Sequence, residues 1–238
     1  MPKAILFDLD DTILSHDGAA DSAWEELCAS FVESANTPFC SDALMESINK
    51  ARRWYWSDPE RHKTGRMDML RAKQIIISQA FSHLDYSDEG SAFKLAEKYC
   101  RRHEELMHLF PDAFETLESI KSKGIRMALL TNGVSEVQRG KINRFCLSGF
   151  FEFCLVEGEL GYGKPDIRVF ETALEKLGLK AEDVWMVGDN LVWDIQAPQT
   201  LGIFSIWNDH DKKGLPEGTS VIPDRIIHSI SELLDFLT

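Results

Sequence analysis

The sequence predicts an α/β protein: a doubly wound parallel sheet with a block of helices inserted after its first strand. Three observations predict it. Short apolar runs end abruptly in polar or acidic residues, as buried parallel strands do where they open into loops. Helical patterns that stop at glycine lie between these runs. One long stretch, residues 16–107, keeps helical periodicity and offers no strand pattern.

Taken in order, residues 4–7 (AILF) read as the first buried strand. Residues 126–130 (RMALL) and 184–187 (VWMV) repeat the pattern, followed by TNG and GDN, and residues 203–207 (IFSIW) make a further strand. Residues 151–156 (FEFCLV) and 225–227 (RII) are weaker strands. Residues 112–123 place Ala113, Leu117 and Ile120 on one helical face and stop at Gly124. Residues 166–177 do the same with Val169, Phe170, Ala173, Leu174 and Leu177, before Gly178. Strands alternating with helices imply a parallel sheet covered on both faces.

In the insertion, Trp24, Leu27, Cys28, Phe31 and Val32 form one helical stripe, and Leu44, Met45 and Ile48 begin a second. Ile75, Ile76, Gln79 and Ala80 form a third, and Phe93, Leu95, Ala96 and Tyr99 a fourth. The expected division is one domain from 1–15 and 108–238 and a helical domain from 16–107.

The net charge of −13 argues against nucleic acid, whose phosphates such a chain repels. The first apolar run carries Asp8, which suits a buried strand rather than a signal peptide. No run approaches the ~18 apolar residues of a membrane span. The five cysteines (Cys28, Cys40, Cys100, Cys146 and Cys154) form no CxxC pair, as expected of reduced thiols in a cytoplasmic protein.

Three polar signals sit where strands end: DLDDT at 8–12, TNG at 131–133 and GDNLVWD at 188–194. Open parallel sheets form their sites outside the carboxyl ends of the strands, so distant segments can converge there. Asp8 and Asp10, two apart at a strand end, can reach the same space. Carboxylates brought together repel unless a cation lies between them, and oxygen donors suit Mg2+. A carboxylate can also attack phosphorus. Each motif has a plainer reading. Asp10 and Asp11 can cap the next segment, Thr131 and Asn132 can cap a helix or make a turn, and Asp189–Asn190 can form a turn. Lys164 can be a solvated lysine, and Asp194 suits a helix N-terminus.

Taken jointly, these residues resemble the haloacid dehalogenase (HAD) superfamily of phosphohydrolases. The four signatures occur in that family's order: hhhDxDxT at Ile5–Thr12, hhhTN at Ala128–Asn132, Lys164–Pro165, and GDxxxxD at Gly188–Asp194. The resemblance implies a Rossmann-like core with a helical cap, and a magnesium-dependent phosphatase acting on a small phosphorylated metabolite of the nucleotide or sugar phosphate class. It implies Asp8 as nucleophile and Asp10 as general acid and then base. Mg2+ would be held by the Asp8 and Asp189 carboxylates and the Asp10 carbonyl. Thr131 and Asn132 would bind phosphoryl oxygens, Lys164 would neutralise charge, and Asp194 would orient Lys164 or the metal's waters. Pyrimidine 5′-nucleotidases, N-acylneuraminate-9-phosphatases and phosphoglycolate phosphatase-like enzymes are the nearest subgroups. Two positions depart from the family pattern. Gly163 stands where a basic or bulkier residue is common and is expected to loosen the lysine loop. Pro198 is expected to kink the helix after the last motif.

Residues 49–73 carry eight bases against three acids, with Trp54, Tyr55 and Trp56 among them. This stretch reads either as a lid recognising an anionic or aromatic leaving group or as a solvated face with aromatic core anchors. The specificity candidates are Arg52, Arg53, Trp54 and Arg66 of this stretch and His16 at the entrance to the helical insertion. A phosphomutase, a haloacid dehalogenase and a non-catalytic binding protein are the competing functions. Asp10 argues against the dehalogenase, since a halide leaving group needs no proton. The oligomeric expectation is a monomer or homodimer.

Overall fold

The computed structural model describes residues 1–237 and divides them into two compact units, one of Met1–Ser15 with the chain from Leu109 onward, the other His16–His108. The helical unit contains α1 (Asp17–Ser34), α2 (Ser41–Trp56), α3 (Pro59–Gly65), α4 (Met69–Ser82) and α5 (Glu89–Leu106). Three of these helices start on an aspartate whose carboxylate accepts a first-turn amide. Asp58 takes Arg61 N at 2.8 Å, Asp68 takes Arg71 N at 3.0 Å and Asp88 takes Ser91 N at 2.9 Å. The apolar faces of α1, α2, α4 and α5 meet in one core built around Trp24, Leu44, Ile48, Tyr55, Ile76, Phe81 and Tyr99. The fourth stripe is corrected by one residue. Ala92, Leu95, Ala96 and Tyr99 are buried at helical spacing, while Phe93 is 41% exposed. The short α3 was not anticipated, because seven residues carry too little periodicity to register.

The second unit holds a six-stranded sheet. Its strands are β1 (Ala4–Phe7), β2 (Arg126–Thr131), β3 (Cys154–Val156), β4 (Val184–Gly188), β5 (Phe204–Asn208) and β6 (Arg225–Ile227). Their spatial order is β3-β2-β1-β4-β5-β6, and every ladder is parallel. The α/β expectation holds, and all six expected strands are present. The weak one at 151–156 is confined to Cys154–Val156. The helices of this unit are α6 (Ala113–Ser122), α7 (Ser135–Arg144), α8 (Glu157–Leu160), α9 (Ile167–Leu177) and α10 (Ala197–Gln199). α9 starts on Asp166 and ends at Gly178 in the left-handed region. Residues Leu191–Gln196 form a π-helix. Pro198, expected to kink this helix, falls just after the helix type changes. The wide turn stops at Gln196, and Pro198 enters the first turn of α10, where no amide proton is needed.

Both faces of the sheet are covered. Ile5, Phe7, Leu117, Ile120, Met127 and Leu129 belong to one core; Leu6, Ala128, Leu130, Phe170, Ala173 and Met186 belong to another. The split follows the strand period of two: Ile5 and Phe7 face one way, Ala4 and Leu6 the other. The strand order turns back at β1, which has β2 on one side and β4 on the other. Such a switch point opens a crevice at the carboxyl ends of the strands.

Candidate active site

The strand register brings the separated motifs together. Phe7 lies beside Leu129 of β2 and Val187 of β4, so the residues just beyond all three strands reach one edge of the sheet. Asp8 is the first residue past β1, and its amide donates to the Val187 carbonyl at 2.9 Å. Asp11 adopts a left-handed φ of 55°, a conformation aspartate tolerates in a tight turn.

Lys164 is the electrostatic centre. It is 2% exposed, and its ammonium donates to Asp8 Oδ1 at 2.5 Å and to Asp194 Oδ1 at 2.6 Å. Burial alone would lower its pKa, but the Asp194 and Asp8 carboxylates outweigh burial and hold it above the ordinary lysine value. Asp194 is itself 1% exposed, and its second oxygen accepts the Asn190 amide at 3.0 Å. Gly188 makes this possible, since any Cβ there would overlap the Asp194 carboxylate. Asn190 caps the π-helix through the amides of Val192 and Trp193.

Carboxylate oxygens of Asp8, Asp189 and Asp194 all lie within 4.8 Å of one another. The lysine compensates only part of this charge. Burial, then the nearby Asp194, push the Asp8 carboxyl up to about 7 against the pull of Lys164. Burial, then Asp8 and Asp194, push Asp189 well above the carboxylate range. Clustered, largely buried oxygens with surplus negative charge fit a hard divalent cation such as magnesium. Asp8, Asp189 and Asp194 together form a cluster that could hold one.

The Asp10 carboxylate lies in a different setting. Lys141 on α7, itself buried, donates to both its oxygens at 2.8 Å, and Gln138 donates at 3.1 Å. Gln138 also donates to the Thr131 hydroxyl oxygen, linking the end of β2 to Asp10. The side chain of Asn132, expected at the phosphoryl group, is engaged with the backbone of the lysine loop. Its amide nitrogen donates to the Lys164 carbonyl at 2.6 Å and its oxygen accepts the Lys164 amide at 2.8 Å. Gly163 is the reason the two segments approach so closely. A Cβ there would stand 2.8 Å from Glu157 Cβ and would overlap Asn132. The expected loosening at Gly163 is therefore reversed: the absent side chain lets the lysine loop be clamped. The peptide bond between Lys164 and Pro165 is cis.

Lys141, Gln138 and Glu157 were missed by sequence reasoning. Glu157 accepts the Gly133 amide at 2.9 Å and secures the loop after β2. A signal existed for the first two: Gln138 and Lys141 are three apart on the helix that follows TNG and so share a face. Trp207 was missed as well; its indole donates to the Asp189 carbonyl at 2.6 Å.

The helical unit holds the remaining candidates. His16 precedes α1, its ring 3.3 Å from Asp17 and edge-on to His103 at 4.6 Å. Arg52 is bound to Asp21 at 2.7 Å and to Asn49 at 3.1 Å. Arg53 is exposed, and Arg66 closes α3. Trp54 is 42% exposed, with the Arg61 guanidinium 4.2 Å over its ring. Tyr55 and Lys73 of the same basic stretch are buried.

The family model for haloacid dehalogenase-like hydrolases matches residues 2–202. The chain belongs to that family. Among curated relatives, a phosphoserine phosphatase of Thermus thermophilus is 29% identical over 97% of each chain. A pyrimidine 5′-nucleotidase of Streptococcus pneumoniae is 29% identical over 99% of this chain and 94% of its own. The magnesium-bound HAD-hydrolase YfnB of Bacillus subtilis superposes with a TM-score of 0.77 at 26% identity, covering 99% of this chain and 98% of its own. A 2-haloacid dehalogenase of Pseudomonas syringae superposes with a TM-score of 0.61 at 26% identity, covering 100% and 98%.

Proposed function

We propose that this HAD-like hydrolase is a magnesium-dependent phosphatase that cleaves phosphate monoesters of small metabolites through an aspartyl phosphate on Asp8. One observation carries the reading: a second carboxylate, Asp10, held by Lys141 and Gln138 beside the Asp8–Lys164–Asp194 cluster. A dehalogenase has no use for that group, because halide leaves without a proton. An alkoxide does not leave readily without one.

In the first step an Asp8 oxygen attacks phosphorus, the ester P–O bond breaks, and the leaving oxygen takes a proton from Asp10. In the second, Asp10 removes a proton from water, the water oxygen attacks the phosphorus of the aspartyl phosphate, and inorganic phosphate departs as Asp8 is regenerated. Lys164 supplies positive charge at the nucleophile, and Asp194 holds Lys164 in place. Thr131, already aligned by Gln138, presents its hydroxyl to the phosphoryl group. Magnesium, which the Asp8 and Asp189 carboxylates and the Asp10 carbonyl would hold with Asp194 beside them, would supply charge neutralisation for the phosphoryl oxygens. Acid–base assistance of this kind is worth roughly 10²–10⁴-fold. Residues 1–15 and 108–238 form the catalytic part in this reading, and residues 16–107 select the leaving group.

The test is phosphate release from nucleoside monophosphates, sugar phosphates, sialic acid 9-phosphate and phosphoglycolate, with magnesium and then with chelator. Magnesium-dependent release supports the assignment. A folded, magnesium-binding protein that releases nothing refutes it.

A further inference from the structure

Lys73 is a buried charge that the reaction does not use. It lies on α4 in the core of the helical unit and is 5% exposed. Among the described residues its ammonium has no carboxylate partner and no hydrogen-bond acceptor. It is surrounded instead by rings: Tyr99 at 4.8 Å, Trp56 at 5.2 Å and Trp24 at 6.0 Å from their centroids. Trp24 and Tyr99 stack at 3.9 Å, and each carries a second unanswered group. The Trp24 indole N–H and the Tyr99 hydroxyl are both buried without a hydrogen-bond partner.

Two unanswered donors beside a cation bound only by rings is an unusual concentration in one small core. Buried polar groups are nearly always paired, and a buried cation is expensive unless it is. The rings compensate part of the charge. They cannot accept the proton donors in the way an oxygen can. The neighbouring charges do not close the account either. Burial first, then the positive charge of Arg52, pull Lys73 down to about 8, against the weaker opposing influence of Cys100 and Asp17. Arg52 is already bound to Asp21. What the cluster lacks is an oxyanion carrying a single charge.

We propose that Lys73, Trp24 and Tyr99, with Trp56 as a wall, form a binding site for a carboxylate in the helical unit. One ammonium matches a monoanion better than a dianionic phosphate, and a carboxylate has lone pairs enough for all three donors. The carboxylate belongs either to the phosphorylated substrate or to a separate small acid. Only this question of source rests on the phosphatase reading; the binding site does not.

The experiment uses the full chain, with acetate and benzoate as probes and chloride and inorganic phosphate as controls. Binding is followed by tryptophan fluorescence and by the unfolding temperature. The expected result is saturable binding of a carboxylate that weakens about tenfold or more in Lys73→Met and measurably in Tyr99→Phe, the scale of one charged hydrogen bond. Without ligand, Lys73→Met should unfold at or above the wild-type temperature, because it removes an unanswered charge. Three results overturn the proposal. One is equal carboxylate binding by wild type and Lys73→Met; another is a marked drop in unfolding temperature for ligand-free Lys73→Met, which would make the cation structural. The third is Lys73-dependent binding of phosphate but not carboxylate. The source is then read from KM. A rise in Lys73→Met for phosphoglycolate but not for ethyl phosphate assigns the carboxylate to the substrate; equal KM values with binding lost assign it to a separate ligand.

Discussion

Two of the buried lysines, one in each unit of this chain, sit under opposite conditions. Lys164 is 2% exposed and lies between two carboxylates at 2.5 and 2.6 Å; Lys73 is 5% exposed and faces aromatic rings. Burial lowers the pKa of both. At Lys164 the carboxylates outweigh it, and at Lys73 nothing of comparable strength opposes it. Burial therefore fixes the cost of a charge, and the neighbours decide whether the charge is part of the fold or waiting for a ligand.

The sharpest way to break this contrast is to remove each cation in turn. Lys164→Met leaves Asp8 and Asp194 buried without a cation. It should lose activity and about 3–5 kcal/mol of stability at neutral pH in metal-free protein, measured by urea unfolding. Lys73→Met should lose none. Equal costs would mean that countercharge is not the deciding difference.

Asp8→Asn separates chemistry from stability at the same place. Turnover should vanish while metal-free protein stays as stable as wild type or gains, since one buried negative charge is gone. Near-normal phosphate release would end the assignment of the nucleophile. Lys141→Met should have a smaller effect. Asp10 would lose its main restraint, and kcat should fall by up to the roughly 10²–10⁴-fold an acid–base group supplies. A positioning role also predicts an altered pH profile of kcat, whereas a purely structural role would move stability alone.

The two units should also respond to pH in opposite directions. Asp8 rises from its ordinary 3.8 to about 7 in the metal-free fold. The folded state then holds a proton that the unfolded chain has released. Its stabilising contribution is complete below pH 3.8 and is lost as the pH rises through about 7. Lys73 falls from 10.5 to about 8, so the unfolded chain holds the extra proton and stability grows from about pH 8 towards 10.5. Denaturation curves of metal-free wild type, Asp8→Asn and Lys73→Met across this range check both signs, and magnesium should flatten the acid limb. A smaller effect than at Lys164 is expected at Gly163→Ala. Crowding against Asn132 and Glu157 should cost about 1–3 kcal/mol and slow turnover through Lys164.

The sheet was legible in the sequence because each buried strand is a short apolar run that stops at an acid or a polar turn. Residues 4–7 were read with the correct ends. The motif residues were legible because their chemistry is concentrated at those strand ends. Partners drawn from helix faces were not. Gln138 and Lys141 look like ordinary polar residues on a surface helix until α7 is laid beside Asp10. Lys73 looked like one more base in a solvated stretch, because charge count says nothing about which side of a helix is covered.

The sequence by itself determined the alternation of strands and helices, the helical insertion and the acids at the strand ends. These are local properties, written in periodicity and in which residue follows each apolar run. Tertiary structure decided that Asp194 and Asp8 share one lysine and that Asn132 clamps the loop carrying it. It also decided that Gly163 tightens that loop and that Lys73 packs against rings rather than against a bound carboxylate. Those facts depend on which buried groups meet across the fold. Desolvation and Coulomb energies are set by that meeting, and no local pattern encodes it.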